Sequence, residues 1–201
     1  MTIRVQINRL LKTALAATML SLSLGSVSIA ADYVIDSSSN GAHSSIQFKI
    51  GHMGFSWLIG SFDKFEGTFS YDDKKPEASA VEVTIDTASV DSNHAKRDKH
   101  LRSDDFLEVE KYPNAKFEST SYKASEKNKG ILTGNLTLHG VTKEVSIDVE
   151  LVGAGNDPWG GYRIGFIGTT QLKLQDYKIK KNLGPASEMV YLTFNIEGIK
   201  K

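Results

Sequence analysis

The sequence of 201 residues contains no cysteine, which excludes disulfide bonds, thiol nucleophiles and cysteine-based zinc sites. It also lacks an excess of one charge, because 24 lysines and arginines balance 24 aspartates and glutamates. This balance argues against a strongly basic nucleic-acid-binding protein. Hydrophobic residues make up 40% of the chain and charged residues 24%, proportions that are typical of a folded globular protein rather than a disordered one.

Recognisable catalytic and metal-binding motifs are also missing. No Gly-x-Ser-x-Gly segment supplies a nucleophile, and the glycine-rich segments do not match a phosphate-binding loop. The five histidines form no His-Glu-x-x-His or His-x-His motif. His94 and His100 are six residues apart, a spacing that places them on different faces of a helix. The sequence therefore predicts no catalytic residue, no metal site and no cofactor.

The first thirty residues have the features of a secretory signal peptide. Three basic residues precede an uncharged apolar stretch, Thr13–Ile29, and Ser28-Ile29-Ala30 fits a small-x-small cleavage signal. A membrane anchor is the alternative, but the apolar core is short for a span. We predict that residues 1–30 are removed on export and that residues 31–201 form a single soluble domain in the bacterial periplasm.

Alternation of apolar and polar residues dominates the rest of the chain and predicts eight strands. The predicted strands are Ser45–His52, Gly60–Tyr71, Ala80–Thr87, Lys116–Ala124, Ile131–Leu138, Glu144–Val152, Tyr162–Gln175 and Glu188–Gly198. Such alternation is typical of antiparallel strands with one buried face. The polar segment Ser92–Arg102 does not alternate and predicts a helix, for which Asp91 or Ser92 could be the N-cap.

These elements predict an all-β fold: an eight-stranded antiparallel barrel with a helical insertion between strands three and four. Closure of the barrel removes exposed strand edges, although a sandwich is the alternative. A barrel of this size either packs its interior with side chains or holds one small ligand. Small residues on the inward face favour a cavity, unless they mark places where strands bend or cross closely. They are Gly67, Ser119, Ser121, Gly134, Gly168 and Thr170.

An apolar cavity of this kind would suit a long apolar ligand. The candidate lining residues are Phe48, Ile50, Phe55, Trp57, Phe65, Phe69, Val83, Ile85, Phe106, Phe117, Leu136, Phe166, Leu172 and Phe194. Ordinary core positions are equally compatible with Phe65 and Phe69, whereas Phe55 and Trp57 lie in a glycine-flanked loop that could gate the cavity mouth. Arg97 and Arg102 are candidates for holding a phosphate head group, with a solvated helix face as the alternative.

Several short motifs along the chain occur in the order found in one known family. The motifs are His52–Trp57 with Gly60–Phe62, Ser89–His94, Arg97–Leu107, Tyr112-Pro113, Leu136–Lys143, Asp157–Gly161 and Leu183–Ser187. From about Asp32 to Gly198 the chain resembles the YceI-like family of periplasmic, lipocalin-like polyisoprenoid-binding proteins. The resemblance implies an eight-stranded barrel with an inserted helix, a long isoprenoid or similar amphiphile inside, frequent dimers and no established catalytic residue.

The expected function is therefore to hold an isoprenoid-type amphiphile, such as a polyprenyl phosphate or a quinone, without transforming it. Carriage, storage and stress response are all compatible with this activity. The expected partners are that long-chain amphiphile and a second copy in a homodimer, with no nucleic acid and no permanent membrane insertion. Two alternatives stay open. One is a packed interaction module with an apolar patch around Phe55, Trp57 and Trp159, and the other is a lipid-modifying enzyme.

Overall fold

The computed structural model describes residues 30–38, 42–181 and 183–201. The predicted signal peptide lies outside the described residues except for Ala30. Within the described ranges, no helix is long and apolar enough to cross a membrane.

Eleven strands and one α-helix form in these ranges. The elements are β1 (Ala31–Ile35), β2 (Ser45–His52), β3 (Ser56–Phe62), β4 (Phe65–Tyr71), β5 (Ala80–Asp86), β6 (Val90–Asp91), α1 (Ala95–Leu101), β7 (Asn114–Glu126), β8 (Lys129–Leu138), β9 (Val141–Asn156), β10 (Tyr162–Lys173) and β11 (Met189–Lys200). Short 3-10 turns occur at Pro76–Ala78, Thr87–Ser89, Leu174–Tyr177 and Pro185–Ser187.

Eight of the strands close into an antiparallel barrel, in the order β1, β4, β5, β7, β8, β9, β10 and β11. The barrel closes at a seam where Val34 of β1 pairs with Ile199 of β11 and Ile35 pairs with Gly198. The other half of β11 pairs with β2, and β2, β3 and β6 extend this wall of the barrel. The predicted eight-stranded antiparallel barrel is confirmed. Three of its eight strands are interrupted, and each of these consists of two segments: β1 with β2, β3 with β4, and β5 with β6.

The predicted segment Ser92–Arg102 contains α1, but the predicted numbering of the strands around it does not match the structure, because α1 follows β6 and precedes β7. The prediction counted too few strands before the helix: it omitted β1 and the two-residue β6, and it placed most of β3 outside any strand. Trp57 and Ile59 in β3 are 54% and 62% exposed, whereas Leu58 between them lines the interior. With apolar side chains on both faces, β3 lacks the alternation that reveals a half-buried strand.

Two apolar clusters pack inside the barrel. The larger contains Phe117, Leu132, Leu136, Ile147, Leu172, Tyr177 and Ile179, and the smaller contains Tyr33, Ile35, Phe69 and Ile164. Tyr33 and Phe69 stack in the smaller cluster, with ring centroids 4.9 Å apart. Because Tyr33 and Ile35 belong to β1, this cluster lies beside the seam and packs that end of the barrel.

Arg163 stabilises the seam through ion pairs with three carboxylates. Arg163 Nη1 donates to Asp36 Oδ2 at 2.7 Å and to Glu197 Oε1 at 2.5 Å, and Arg163 Nε donates to Asp157 Oδ2 at 3.0 Å. Hydrogen bonds from the Gly161 backbone and from Arg163 hold the pKa of Asp157 below its ordinary value. The ion pairs therefore join the ends of β1, β10 and β11 to the loop that precedes β10.

Candidate functional site: an apolar cavity in the barrel

The barrel encloses a cavity of about 460 Å³ whose walls are almost entirely apolar. Val83, Val145 and Leu192 line this cavity, yet they are only half-buried. These side chains therefore face open space rather than packed neighbours. Most pockets for small ligands have volumes of roughly 300–1,000 Å³ and are lined mainly by apolar groups. The barrel interior therefore has the volume and the apolar lining of a ligand-binding cavity, and it is not a fully packed core.

Most of the candidate lining residues meet in this cavity. Those that line it are Phe48, Ile50, Phe69, Val83, Ile85, Phe106, Phe117, Leu136, Phe166, Leu172 and Phe194. They come from seven different strands and from the segment that follows α1. Their inward direction follows from strand geometry, because side chains at alternate positions share one face of a sheet.

Three phenylalanines of the wall lie against glycines of other strands. The Phe48 ring covers Gly60, the Phe69 ring covers Gly198, and the Phe117 ring covers Gly134. A Cβ atom at Gly134 would lie 2.5 Å from Phe117 Cζ and from the carbonyl oxygen of Glu118, so no larger residue fits without movement. Because glycine has no Cβ atom, each phenylalanine ring can pack directly against the backbone of the barrel wall.

These contacts correct part of the expectation that the small inward residues leave open volume in the barrel. Gly168 and Thr170 line the cavity, as that expectation requires. The space at Gly134 is filled by a ring, and a Cβ at Gly67 would meet Ile35 Cδ1 at 2.8 Å. The register of β7 shifts between Ser119 and Ser121, neither of which lines the cavity. Close approach and strand irregularity explain these four residues. Gly168 lines the cavity but is also closely packed, because a Cβ there would lie 3.1 Å from Ile147 Cγ2 and 3.2 Å from Phe194 Cδ2.

The cavity opens between the β2–β3 hairpin, α1 and the described residues 179–181 and 183–187. The lining residues His52, His100 and Leu183 are all exposed, which places the mouth at this end of the barrel. Ser187 Oγ donates a hydrogen bond of 2.6 Å to the Gly51 carbonyl oxygen. This bond joins residues 183–187 to the hairpin.

Asp105 joins residues 179–181 to α1. Its Oδ2 atom lies 2.6 Å from His100 Nε2 and 3.0 Å from Lys181 Nζ. The hydrogen bond with His100, and then that with Lys181, lowers the pKa of Asp105, so the carboxylate stays ionised at neutral pH. The three sides of the mouth are thus connected to one another.

The polar groups of the cavity lie mainly at its ends. Arg97 of α1 lines the mouth, and its guanidinium donates through Nε to Ser92 Oγ at 2.7 Å and through Nη2 to the Ser92 carbonyl oxygen at 2.5 Å. These bonds do not use Nη1. Tyr71 and Tyr122 also line the cavity, and burial raises the pKa of both phenols, so they remain neutral. Arg97 is therefore the permanent cation of the lining.

Four candidate residues lie outside the cavity lining. Arg102 instead donates to the carbonyl oxygens of Ala88 and Val90, both at 2.6 Å, and so holds the chain around β6. Phe65 packs beside the smaller apolar cluster. Phe55 is 84% exposed at the hairpin tip, and Trp57 points outward on β3. Neither side chain forms part of the cavity wall, although both belong to the hairpin beside the mouth.

Sequence reasoning missed several lining residues of two kinds. Ile46, Leu132, Ile147 and Leu192 lie on the same alternating faces as the candidates, so periodicity could have found them. Others lie in irregular or non-alternating chain and give no periodic signal. They are Leu58, Leu101, Leu107, Ile179 and Leu183.

The exposed aromatic residues do not form the single patch that an interaction module would use. Trp159 is 79% exposed and lies 5.7 Å from Arg163 Cζ, measured to its ring centroid, near the end of β11. The hairpin is beside the start of β11, ten residues away along the β10–β11 ladder. At ~3.3 Å per residue, this separation is roughly 33 Å.

One group of possible metal ligands occurs among the described residues. Asp36, His43 and Glu197 each place one ligand atom within 4.8 Å of the others. Arg163 already binds both carboxylates, so its guanidinium occupies the position that a cation would need. We therefore explain this group as part of the seam.

Comparisons with known proteins agree with this architecture. A sequence profile described as the YceI-like domain matches residues 33–198. A UPF0312 protein of Ectopseudomonas mendocina is 56% identical over 193 residues, which cover 96% of this chain and 100% of the relative. A UPF0312 protein of Yersinia pestis is 51% identical over 189 residues, covering 91% and 97% respectively.

Solved structures show the same fold. The YceI protein of Campylobacter jejuni is 31% identical, with a TM-score of 0.69 over 82% of this chain and 97% of its own. A polyisoprenoid-binding domain from Saccharophagus degradans is 18% identical, with a TM-score of 0.61 over 84% of this chain and 98% of its own. At that identity, the likeness shows the fold alone.

Proposed function

This chain belongs to the YceI-like family, and we propose that its barrel holds one isoprenoid-type amphiphile without transforming it. The observation that carries the proposal is the open apolar interior, in which inward side chains such as Val83, Val145 and Leu192 keep accessible surface. The name of the Saccharophagus degradans domain, which has the same fold, supports an isoprenoid as the ligand class.

Such a ligand gains most of its affinity from the hydrophobic effect. Each buried methylene contributes about 0.8 kcal/mol relative to water, so a prenyl chain strongly prefers the cavity to solution. The same chain in a bilayer is already away from water, and its transfer from bilayer to cavity is nearly balanced. This balance suits a protein that carries or stores its ligand.

Arg97 and His100 are the groups that would meet a polar head at the mouth. Both line the cavity, and α1 presents them from one side. A guanidinium favours phosphate because it combines a permanent charge with several hydrogen-bond donors. We propose that a phosphorylated isoprenoid places its head beside α1 and its chain in the barrel.

We place this activity in the periplasm on the strength of the signal-peptide features in residues 1–30. A lipid carrier in that compartment would move or store molecules that otherwise stay in a membrane. Lipid or quinone handling and stress response are both compatible with that role.

Native mass spectrometry of protein incubated with prenyl alcohols of increasing length tests the binding proposal. We expect one ligand per chain and an affinity that rises with chain length until the cavity is filled. Val145→Phe should lower the affinity at least tenfold, because Val145 lines the cavity. Ser146→Phe, an exposed neighbour on the same strand, should leave it unchanged.

Two results would contradict the proposal. Wild-type protein that takes up no prenyl alcohol or quinone would leave the interaction module as the better explanation. Equal affinity in the Val145 and Ser146 variants would place the ligand outside the barrel. Turnover of a bound ligand would instead support the lipid-modifying enzyme.

Farnesol and farnesyl diphosphate test the head-group site, because they share a chain and differ in the head. Wild-type protein should bind the diphosphate more tightly, and Arg97→Gln should remove most of that difference. Lys96→Gln, which removes an exposed charge from the same helix, is the control. Equal affinity of the wild-type protein for both ligands would argue against a phosphate site here.

A further inference from the structure

We propose that the mouth of the barrel docks on membrane surfaces that contain anionic phospholipids. This inference rests on the proposed function, since it identifies where the ligand passes between bilayer and cavity. The docking element is the β2–β3 hairpin tip, defined here as Met53, Gly54 and Phe55, together with Leu183, which lines the same cavity as His52.

The hairpin tip presents large apolar side chains to solvent. Met53 is 60% exposed, Phe55 is 84% exposed, and Leu183 is 45% exposed. A group of exposed apolar side chains at one end of a molecule marks an interaction site more often than scattered ones do. Aromatic and aliphatic side chains of this kind are those that enter the interfacial region of a bilayer.

The backbone of the tip holds these side chains outward. The amide of Phe55 donates to the His52 carbonyl oxygen at 2.9 Å, which closes a tight turn around Met53 and Gly54. Both turn residues have positive φ, 52° for Met53 and 82° for Gly54. Hairpins with two such residues usually carry Asn-Gly or Gly-Gly, so methionine at this position costs stability and gains none by burial.

The charge around the tip is complementary to an anionic surface. Residues 42–62, which include the whole hairpin, contain Lys49 and no aspartate or glutamate. Lys178, Lys180 and Lys181 belong to the chain on another side of the mouth, and Asp176 and Glu188 flank this group of lysines. Two acidic groups near this rim have basic partners: Asp105 is paired with Lys181 and His100, and Glu188 lies 4.0 Å from Lys173.

Continuity with the cavity favours a membrane over a second copy of the chain. Leu183 and His52 belong both to the exposed rim and to the cavity lining. A prenyl chain could therefore leave the bilayer and enter the barrel without crossing water. A two-fold contact through the same rim would bring the lysines of both copies together and close the mouth.

Co-sedimentation with vesicles tests this proposal. The vesicles are phosphatidylcholine containing one quarter phosphatidylglycerol, with pure phosphatidylcholine for comparison. We expect the wild-type protein to bind the anionic vesicles at low salt and to bind them more weakly as salt rises. The double variant Met53→Ser, Phe55→Ser should bind at least tenfold more weakly, and Lys49→Gln with Lys180→Gln should remove the preference for phosphatidylglycerol.

Trp159→Ser is the matched control, because Trp159 is similarly exposed but lies near the opposite end of β11. It should bind vesicles as well as the wild-type protein does. Equal binding by the wild-type protein and the tip variant would overturn the proposal, as would the absence of vesicle binding by the wild-type protein. Wild-type dimers that the tip substitutions dissociate in sedimentation would also overturn it, in favour of a second copy.

Uptake of geranylgeraniol in vesicle-free solution separates this proposal from the one on which it rests. If the wild-type protein takes up the alcohol but ignores vesicles, the docking surface is wrong and the binding function stands. If uptake also fails, the binding function itself is wrong.

Discussion

Arg163 shows how much one side chain contributes to closure of the barrel. It binds Asp36, whose side chain is 2% exposed, as well as Asp157 and Glu197. The three carboxylates come from different parts of the chain and lie within reach of one guanidinium. Its loss would remove the guanidinium from a buried carboxylate, which is far more costly than loss of a surface ion pair.

Arg163→Met should therefore lower the free energy of unfolding by about 3 kcal/mol. Urea unfolding measures the change, which should appear in the midpoint rather than in the slope. Lys173→Met on the same strand is the control, since Lys173 and Glu188 are 4.0 Å apart and exposed. That variant should lie within about 0.5 kcal/mol of the wild type. A similar loss in both variants would show that the ion pairs of Arg163 contribute no more to stability than an exposed ion pair does.

Asp98 couples the fold around α1 to pH. The hydroxyl of Ser92 and then its backbone amide donate to Asp98 Oδ1, and these bonds hold the pKa of Asp98 below its ordinary value. The unfolded chain therefore binds a proton at a higher pH than the folded chain does. The resulting stabilisation is complete above the unfolded pKa of about 3.9 and is lost as the pH falls through the folded pKa.

Asp98→Asn should flatten the decline in unfolding free energy as the pH falls from about 5 to 3, because the variant has no proton to take up at this position. Urea titrations at several pH values within this interval measure the slope. Asp104→Asn removes an exposed carboxylate from the nearby segment and should keep the wild-type slope. An unchanged slope in Asp98→Asn would mean that Asp98 titrates alike in both states.

At the scale of strands, alternation in the sequence predicts most of the barrel strands, and it favours a barrel over the alternative of a sandwich. Strands β7 to β11 have one face in the interior, and their patterns gave positions within a few residues of those observed. The same signal failed at β3, where Trp57 and Ile59 are apolar but exposed. It also failed at β6, which is too short to show any period. Alternation reveals a strand only when its buried side chains are apolar and its exposed side chains are polar. It therefore does not reveal a strand whose exposed face is also apolar.

Strand alternation also predicts the part of the candidate site that lies on regular strands. Lining residues such as Phe69 and Phe166 follow from strand phase, whereas Leu183 belongs to an irregular segment that only the tertiary fold brings to the mouth. The roles of Arg97 and Arg102 could not be separated from the sequence. Which of them faces the cavity depends on how Ser92 and the carbonyl groups of Ala88 and Val90 are arranged in space.

The ring-over-glycine contacts make a prediction about strand packing. In Gly134→Ala the new methyl group would meet both Phe117 and the Glu118 carbonyl, so the ring must move toward the cavity. Overpacking of this kind costs about 1–3 kcal/mol. Chemical denaturation measures the loss, and a prenyl alcohol should also bind more weakly.

Gly153→Ala in β9 is the matched control for this substitution. A methyl group there has nothing within 4 Å, so the variant should be as stable as the wild type or slightly more stable. If the two alanine variants lost equal stability, strand propensity rather than contact with Phe117 would explain the loss at Gly134.

For the whole molecule, an open cavity means that ligand binding and stability are linked. A ligand that binds the folded barrel and not the unfolded chain adds free energy that grows with its concentration, about 2.7 kcal/mol at one hundred times the dissociation constant. For a domain of this size, each kcal/mol raises the melting temperature by about 2–4 °C. Geranylgeraniol at that concentration should therefore raise it by about 5–10 °C.

Differential scanning calorimetry at constant cosolvent measures this shift, and the Val145→Phe variant shows whether it arises inside the barrel. The larger side chain fills space that the ligand needs, so the variant should gain much less from the same ligand concentration, whatever its own melting temperature without ligand. Ser146→Phe should show the full wild-type shift, since this residue is exposed on the outer face. Equal shifts in all three proteins would mean that the ligand stabilises an outer surface, and the interior would then be a cavity without a binding role.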